Sequence, residues 1–157
     1  MNGNPQMTQD TFTASRNSPL PIRFVIYLPG SAEGDGAGIA TAVKQMLCDR
    51  FGGVTSYPAV GVFKRVSGTN LEESVQVLES FCEKARWEQE EAFVHSLVEV
   101  IATLLDQESV ACLVEGRMCF VAPLGADESF GLGGSGEELS SIVERRLLNR
   151  QKGRRSS

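Results

Sequence analysis

The stretch IRFVIYL, residues 22–28, decides the fold of this chain. Its side chains alternate between two sides of an extended backbone, and positions 22, 24, 26 and 28 are all apolar. The other side carries Arg23, Val25 and Tyr27. A period of two with β-branched and aromatic residues predicts a strand. We expect the first set to meet covering helices and the second to lie on an uncovered sheet face.

Two amphipathic helices are predicted further along the chain. The first begins near the end of the loop at residues 30–38 and ends at Gly52-Gly53, because glycine readily closes a helix. Its apolar stripe has the 3.6-residue spacing of a buried helix face. The second helix runs from about Arg86 to Leu105. The two stripes consist of Ile39, Val43, Met46, Leu47 and Phe51, and of Phe93, Leu97, Val100, Ile101, Leu104 and Leu105.

Further strands are predicted at residues 54–65, 74–83 and 110–115, with a short apolar stretch at 118–121 after a turn. Pro58 and Gly61 place the first of these at a sheet edge or at a bulge. The order strand, helix, strand, strand, helix, strand predicts an α+β, ferredoxin-like βαββαβ fold. In that fold a four-stranded antiparallel sheet carries both helices on one face.

The composition divides the chain into four segments. Residues 1–20 are expected to be a disordered leader, 21–123 the ferredoxin-like domain, and 124–135 a glycine-rich linker. Residues 136–157 are expected to form a C-terminal amphipathic helix with a basic tail, because Ser135 and Glu138 have the spacing of a capping box.

The chain has 157 residues, of which 41% are hydrophobic and 22% charged, as expected for one globular domain. No apolar run approaches the roughly 18 residues of a membrane span, and the first residues do not resemble a secretion signal. The four cysteines contain no CxxC pair and lie among apolar neighbours, which favours buried, reduced thiols. We therefore expect a cytoplasmic protein without membrane contact, cofactor or metal.

Four short motifs occur in order along the chain: FVIYLP, FGGVT at residues 51–55, GVF at 61–63 and DQESV at 106–110. Together they resemble a group of small bacterial proteins of unknown function. The resemblance covers about residues 22–121 and implies a ferredoxin-like fold, with Phe63 where tryptophan is common in that group. It implies no established activity.

Three loops are expected to meet at one end of such a sheet, and we predict a ligand or partner surface there. They are the first strand-to-helix loop, the hairpin at residues 67–70 and the loop before the last strand. Loops that converge on a rigid scaffold often carry function. The predicted surface residues are Gly34, Asp35, Gly36, Gly38, Gln107 and Glu108.

The charge of the chain is uneven. The net charge is −5, yet the last fourteen residues carry six basic residues and one acid. A basic tail predicts nucleic-acid association as one alternative, and a solvated helix end as the simpler interpretation. The tail residues are Arg145, Arg146, Arg150, Lys152, Arg154 and Arg155.

No motif identifies a catalytic residue. The leading functional hypothesis is a non-enzymatic binding or regulatory module that acts through protein–protein contacts, with a protein partner or a second copy bound at the open sheet face. A further alternative is a haem or oxygen-dependent enzyme of the dimeric α+β barrel type, in which the single histidine, His95, would be the ligand. A lone histidine is more often structural.

Overall fold

The computed structural model describes residues 19–30, 35–125 and 139–155. Five strands and three helices follow one another in these ranges. Residues 1–18 of the predicted leader (1–20) and most of the predicted linker lie outside the described residues, as does Gly34. The elements are β1 Ile22–Pro29, α1 Asp35–Phe51, β2 Thr55–Lys64, β3 Asn70–Cys82, α2 Lys84–Leu104, β4 Val110–Val114, β5 Arg117–Val121 and α3 Leu139–Arg155.

The strands form one antiparallel sheet in the order β2-β3-β1-β4-β5. The predicted α+β class is confirmed, but the prediction of a four-stranded ferredoxin-like βαββαβ domain is wrong. A fifth strand is present because Glu115 and Gly116 both have positive φ, 49° and 79°. Two such residues make the tight turn that folds a second strand back onto the first.

Helices α1 and α2 cover the same face of the sheet, as the alternation in β1 predicts. Ile26 of β1 and Val100 of α2 are both fully buried in one core. The ring of Phe24 lies 4.7 Å from that of Phe51 in α1 and 5.3 Å from that of Trp87 in α2, centroid to centroid. Aromatic packing therefore joins the two helices to the central strand.

Helix α3 packs against α1 and α2 and belongs to the same core. Leu139, Ile142 and Val143 are buried, as their helical spacing predicts. Leu148, which was predicted in the same stripe, is 57% exposed. The apolar face of this helix therefore contacts the core as far as Leu147, which is partly buried, and ends before Leu148.

The β2–β3 hairpin is longer than the rest of the sheet. Strand β1 pairs with β3 only over residues 75–82, so residues 60–64 and 70–74 pair only with each other. In this ribbon the ring of Phe63 lies over Gly61, with Cε2 only 2.5 Å from where a Cβ would stand. Gly61 thus leaves room that the aromatic ring fills. The prediction that β2 is an edge strand is confirmed.

The cysteines are all free thiols, but only Cys82 and Cys112 are buried, whereas Cys48 and Cys119 are exposed. Burial raises the pKa of Cys112 to about 12, and the neighbouring Cys119 adds to that effect. A thiol with a high pKa is a poor nucleophile at neutral pH. The prediction that all four thiols are buried is therefore half correct.

We expect iodoacetamide at pH 8 to alkylate Cys48 and Cys119 rapidly in the native protein, and Cys82 and Cys112 only after unfolding. Peptide mass mapping after timed quenching measures this. The raised pKa of Cys112 also means that the native state keeps this proton above about pH 9 while the unfolded state loses it. The free energy of unfolding should therefore fall as the pH rises from about 9 toward 12. Alkylation of Cys112 as fast as Cys119 would contradict the burial of Cys112 between the sheet and the helices.

Candidate functional site

Four polar side chains come together on the face of the sheet that the helices leave open. In an antiparallel ladder, residues directly opposite each other lie on the same face. Val25 of β1 faces Glu79 of β3, and Val77 of β3 faces both Tyr27 of β1 and Tyr57 of β2. The alternation in β1 places Arg23 on this face as well. We call Arg23, Tyr27, Tyr57 and Glu79 the open-face cluster.

The centre of this cluster is an ion pair. Arg23 Nε donates a hydrogen bond to Glu79 Oε1, across the diagonal between neighbouring strands. This bond is the largest influence that raises the pKa of Arg23, and smaller electrostatic contributions come from Glu79, Tyr27 and Tyr57. Tyr27 and Tyr57 lie on the same face, both opposite Val77, which is two residues from Glu79 in β3. The Glu79 side chain is 16% exposed and that of Arg23 is 44% exposed, so solvent and ligands can reach both.

An apolar surface surrounds these polar groups. Val25, Val75 and Val77 are buried and form its floor, with Tyr27, Ala59 and Leu113 packed beside them. Large apolar side chains lie exposed on the outer strands and at the end of β3. These are Tyr57 at 42%, Phe81 at 42%, Met118 at 50% and Phe120 at 63%. A contiguous apolar patch with polar groups in it is typical of a binding surface.

The arrangement presents a donor and an acceptor side by side. A guanidinium offers a fork of N–H donors that matches a carboxylate, and a carboxylate accepts hydrogen bonds from an ammonium group. The two tyrosine rings add flat apolar faces and hydroxyl groups that both donate and accept. The open-face cluster can therefore hold both charges of a small zwitterion while its surroundings contact an apolar body.

Sequence reasoning did not identify this cluster. It placed Tyr27 on the open face and Glu79 in the alternation of β3, but it did not assign the register between strands. Arg23 and Glu79 are 56 positions apart, and only the pairing of Val25 with Glu79 brings them together. The available signal was a charged residue in each of two strands whose other face is apolar.

The surface that was predicted at the loop end remains a prediction. Asp35 and Gly36 form the start of α1, and Gly38 is exposed in its first turns. Gln107 acts locally, because its Nε2 donates to the carbonyl of Leu105 at 3.0 Å, just after α2. Glu108 is exposed. This hydrogen bond gives Gln107 a role in closing the helix.

The basic residues near the C-terminus form part of a packed helix. Arg150 Nη2 donates to Glu99 Oε1 of α2 at 2.6 Å, and Arg146 Nε lies 3.7 Å from Glu99 Oε2. These contacts show that Arg146 and Arg150 help to hold α3 against α2, and nucleic-acid binding by the basic tail stays a prediction. Arg145 and Lys152 are exposed residues of α3, whose last turn includes Arg154 and Arg155.

A second polar concavity of about 540 Å³ lies between α2 and α3. His95 lines it, and its Nδ1 is 3.2 Å from Arg150 Nη1 and 3.5 Å from Glu99 Oε1. These neighbours hold the imidazole in the contact between α2 and α3, so the haem-ligand hypothesis for His95 finds no support in its surroundings. The other lining residues are Glu88, Glu91, Ala92, Leu147 and Gln151.

Among the described residues, no group of three or more His, Cys, Asp or Glu side chains has the arrangement of a metal site. In residues 19–30, 35–125 and 139–155, no helix is long and apolar enough to cross a membrane.

Comparisons with known proteins found no matching family model and no matching curated protein. Among solved structures, the chain is similar to a phage SAM lyase in complex with S-methyl-5′-thioadenosine, at 12% identity. That alignment covers 64% of this chain and 88% of the lyase, with a TM-score of 0.46. For the apo state of a phage SAM lyase the values are 13% identity, 66%, 89% and 0.41.

These comparisons correct two predictions. The resemblance to uncharacterised bacterial proteins is wrong, since no family model matches and the similar structures are those of a phage lyase. The hypothesis of a non-enzymatic module acting through protein–protein contacts is contradicted, because the similar structures are of an enzyme.

Proposed function

We propose that the open sheet face binds a small molecule with an amino-acid-like zwitterionic end and an apolar or aromatic body. The observation that carries this proposal is the Arg23–Glu79 ion pair beside Tyr27 and Tyr57. Arg23 and Glu79 carry one charge of each sign. A ligand with one carboxylate and one ammonium group can therefore bind to both side chains without leaving an uncompensated charge buried. The ligand carboxylate would bind Arg23, and its ammonium group would bind Glu79.

The apolar body of the ligand would lie over the valine floor of the open face. Val25 and Val77 are themselves buried, so the ligand body would contact the side chains packed around them, among them Tyr27 and Leu113. The faces of Tyr27 and Tyr57 would stack on an aromatic ring or contact a cationic centre, an interaction of about 0.5–2 kcal/mol. Binding sites of this kind combine a mostly apolar surface with a few convergent polar groups.

The probes for this proposal are SAM, methionine and S-methyl-5′-thioadenosine. SAM joins an amino-acid end to a nucleoside, methionine has the amino-acid end, and S-methyl-5′-thioadenosine has the nucleoside without that end. We expect isothermal titration calorimetry to show the tightest binding for SAM. We also expect Glu79→Gln to weaken SAM binding by about 10- to 100-fold, because a charge-assisted hydrogen bond contributes about 1.5–3 kcal/mol.

Glu72→Gln is the matched control. Glu72 lies on the same strand as Glu79, but it is exposed on the opposite face of the ribbon, so its substitution should leave SAM binding unchanged. The binding of S-methyl-5′-thioadenosine should be equally insensitive to Glu79→Gln. Circular dichroism establishes that each variant is folded. If SAM and methionine both fail to bind at millimolar concentration, or if Glu72→Gln has the same effect as Glu79→Gln, the proposal is wrong.

A further inference from the structure

No strand pairs with the outer edge of β2 in the part of the chain that the structure describes. β2 is the last strand of the sheet, and only β3 pairs with it among the described residues. The hairpin fixes which of its backbone groups point outward, because Arg65 N donates to Thr69 O at 2.8 Å and so faces β3. Backbone direction alternates along a strand. The amide and carbonyl groups of Ser56, Val60, Val62 and Lys64 therefore point away from the sheet.

This edge has little of the protection that natural proteins give to a free strand. Lysines, inward-pointing charges, prolines and bulges usually protect such edges. Here Lys64 stands at the far end, and Pro58 occupies one outward position, where its missing N–H costs the sheet no bond. Val60 and Val62 lie between them on one face and are 63% and 61% exposed.

We propose that β2 pairs antiparallel with β2 of a second copy of this chain, about a twofold axis at Val60. The two sheets would then become one continuous sheet of ten strands. A twofold arrangement requires each residue to fit its symmetric counterpart. Antiparallel pairing of one strand with itself meets this requirement, and the axis at Val60 places outward-pointing backbone groups opposite each other.

The side chains are compatible in this register. Val60 faces Val60 of the second copy, and Val62 faces Pro58 of the second copy. Because Pro58 has no N–H, each Val62–Pro58 pair makes one backbone hydrogen bond, from the Val62 N–H to the Pro58 carbonyl, where other residues would make two. On the open face, Phe63 comes opposite Tyr57 of the second copy, an aromatic pair of the kind that stabilises neighbouring strands. Lys64 faces Ser56 of the second copy. No two charges of the same sign are opposed along the ten residues of β2.

Charge complementarity also favours a second copy as the partner. One position beyond Lys64, Arg65 would lie opposite Thr55 of the second copy. Thr55 is paired with Glu79 in the next strand, on the same face. The long side chain of Arg65 would therefore point toward the carboxylate of Glu79 across the new interface, twice by symmetry. The proposed pairing of β2 with β2 of the second copy depends on the edge of β2 and does not require the proposed ligand to bind.

Sedimentation velocity of the full chain tests the proposal. The chain mass is 17.0 kDa, and we expect a species of twice that mass at tens of micromolar protein. Val60→Lys should raise the dimer dissociation constant at least tenfold, because two ammonium groups would meet at the axis. Val66→Lys is the control, since Val66 is fully exposed in the turn and lies outside the interface.

Crosslinking tests the register independently of stability. With Cys48 and Cys119 replaced by serine, Val60→Cys should crosslink between copies with a short bifunctional maleimide, and Val62→Cys should do so much less. A wild-type chain that stays monomeric at 100 µM, or a Val60→Lys variant that dimerises like the wild type, would overturn the proposal. Equal crosslinking at both positions would exclude the axis at Val60.

Discussion

Replacing Phe24 with alanine is expected to lower the free energy of unfolding by about 3–5 kcal/mol. Phe24 is 1% exposed at the centre of the sheet, and its ring contacts Phe51 and Trp87. The substitution removes the ring that joins α1, α2 and β1, and it leaves a cavity that packed neighbours only partly fill. Urea unfolding followed by circular dichroism measures the change.

Phe120→Ala is the matched control for this variant. Phe120 is also an aromatic residue of a sheet strand, but it is 63% exposed on the open face. Its substitution should cost less than about 1 kcal/mol, as expected for a side chain that is mostly in water. Equal losses for the two variants would mean that the core does not lie between the sheet and the helices.

Replacing Glu99 with alanine is the second large effect that we expect, with a loss of about 2–3 kcal/mol. The Glu99 side chain is 13% exposed and binds Arg150 of α3, while Arg146 of α3 and His95 of α2 lie close to it. Without the carboxylate, two partly buried guanidinium groups lose their counter-charge. Removing one partner of such a cluster costs more than the pair itself contributes.

Hydrogen exchange distinguishes a local from a global effect of this substitution. We expect the amides of α3 to exchange faster in Glu99→Ala, while those of β1 and β3 change little. Glu88→Ala is the control, because its carboxylate is 64% exposed and lies 3.9 Å from Lys84. An exposed pair of this kind contributes less than about 1 kcal/mol. Unchanged exchange in α3 would show that apolar contacts alone hold this helix.

The elements with strong periodicity could be predicted from the sequence. The alternation at residues 22–28 determined which side of β1 the helices cover, and the structure places Ile26 and Leu28 in the helix-covered core. The stripes of α1 and α2 were equally clear, because Val43, Leu47, Leu97 and Ile101 recur with helical spacing. The local sequence pattern was sufficient to predict a helix or strand and its buried face wherever one face of the element is apolar throughout.

The remaining features depend on contacts between distant parts of the chain. Strand β5 is only five residues long, and four of them are exposed, so its pattern is weak. The position of α3 depends on Glu99, which lies about fifty positions from the arginines that it binds. The open-face cluster depends on register, because a shift of one residue between β1 and β3 would separate Arg23 from Glu79. A single sequence does not specify such pairings.

The ring of Phe63 over Gly61 has a consequence for which sequences this ribbon can accept. Any side chain at position 61 would occupy the space that the ring fills, and loss of the ring would leave a bare glycine on a solvent-exposed strand. Gly61 provides the space for the ring of Phe63, and the ring covers the glycine. Substitutions at positions 61 and 63 are therefore expected to be coupled, because a larger side chain at position 61 requires the ring of Phe63 to move.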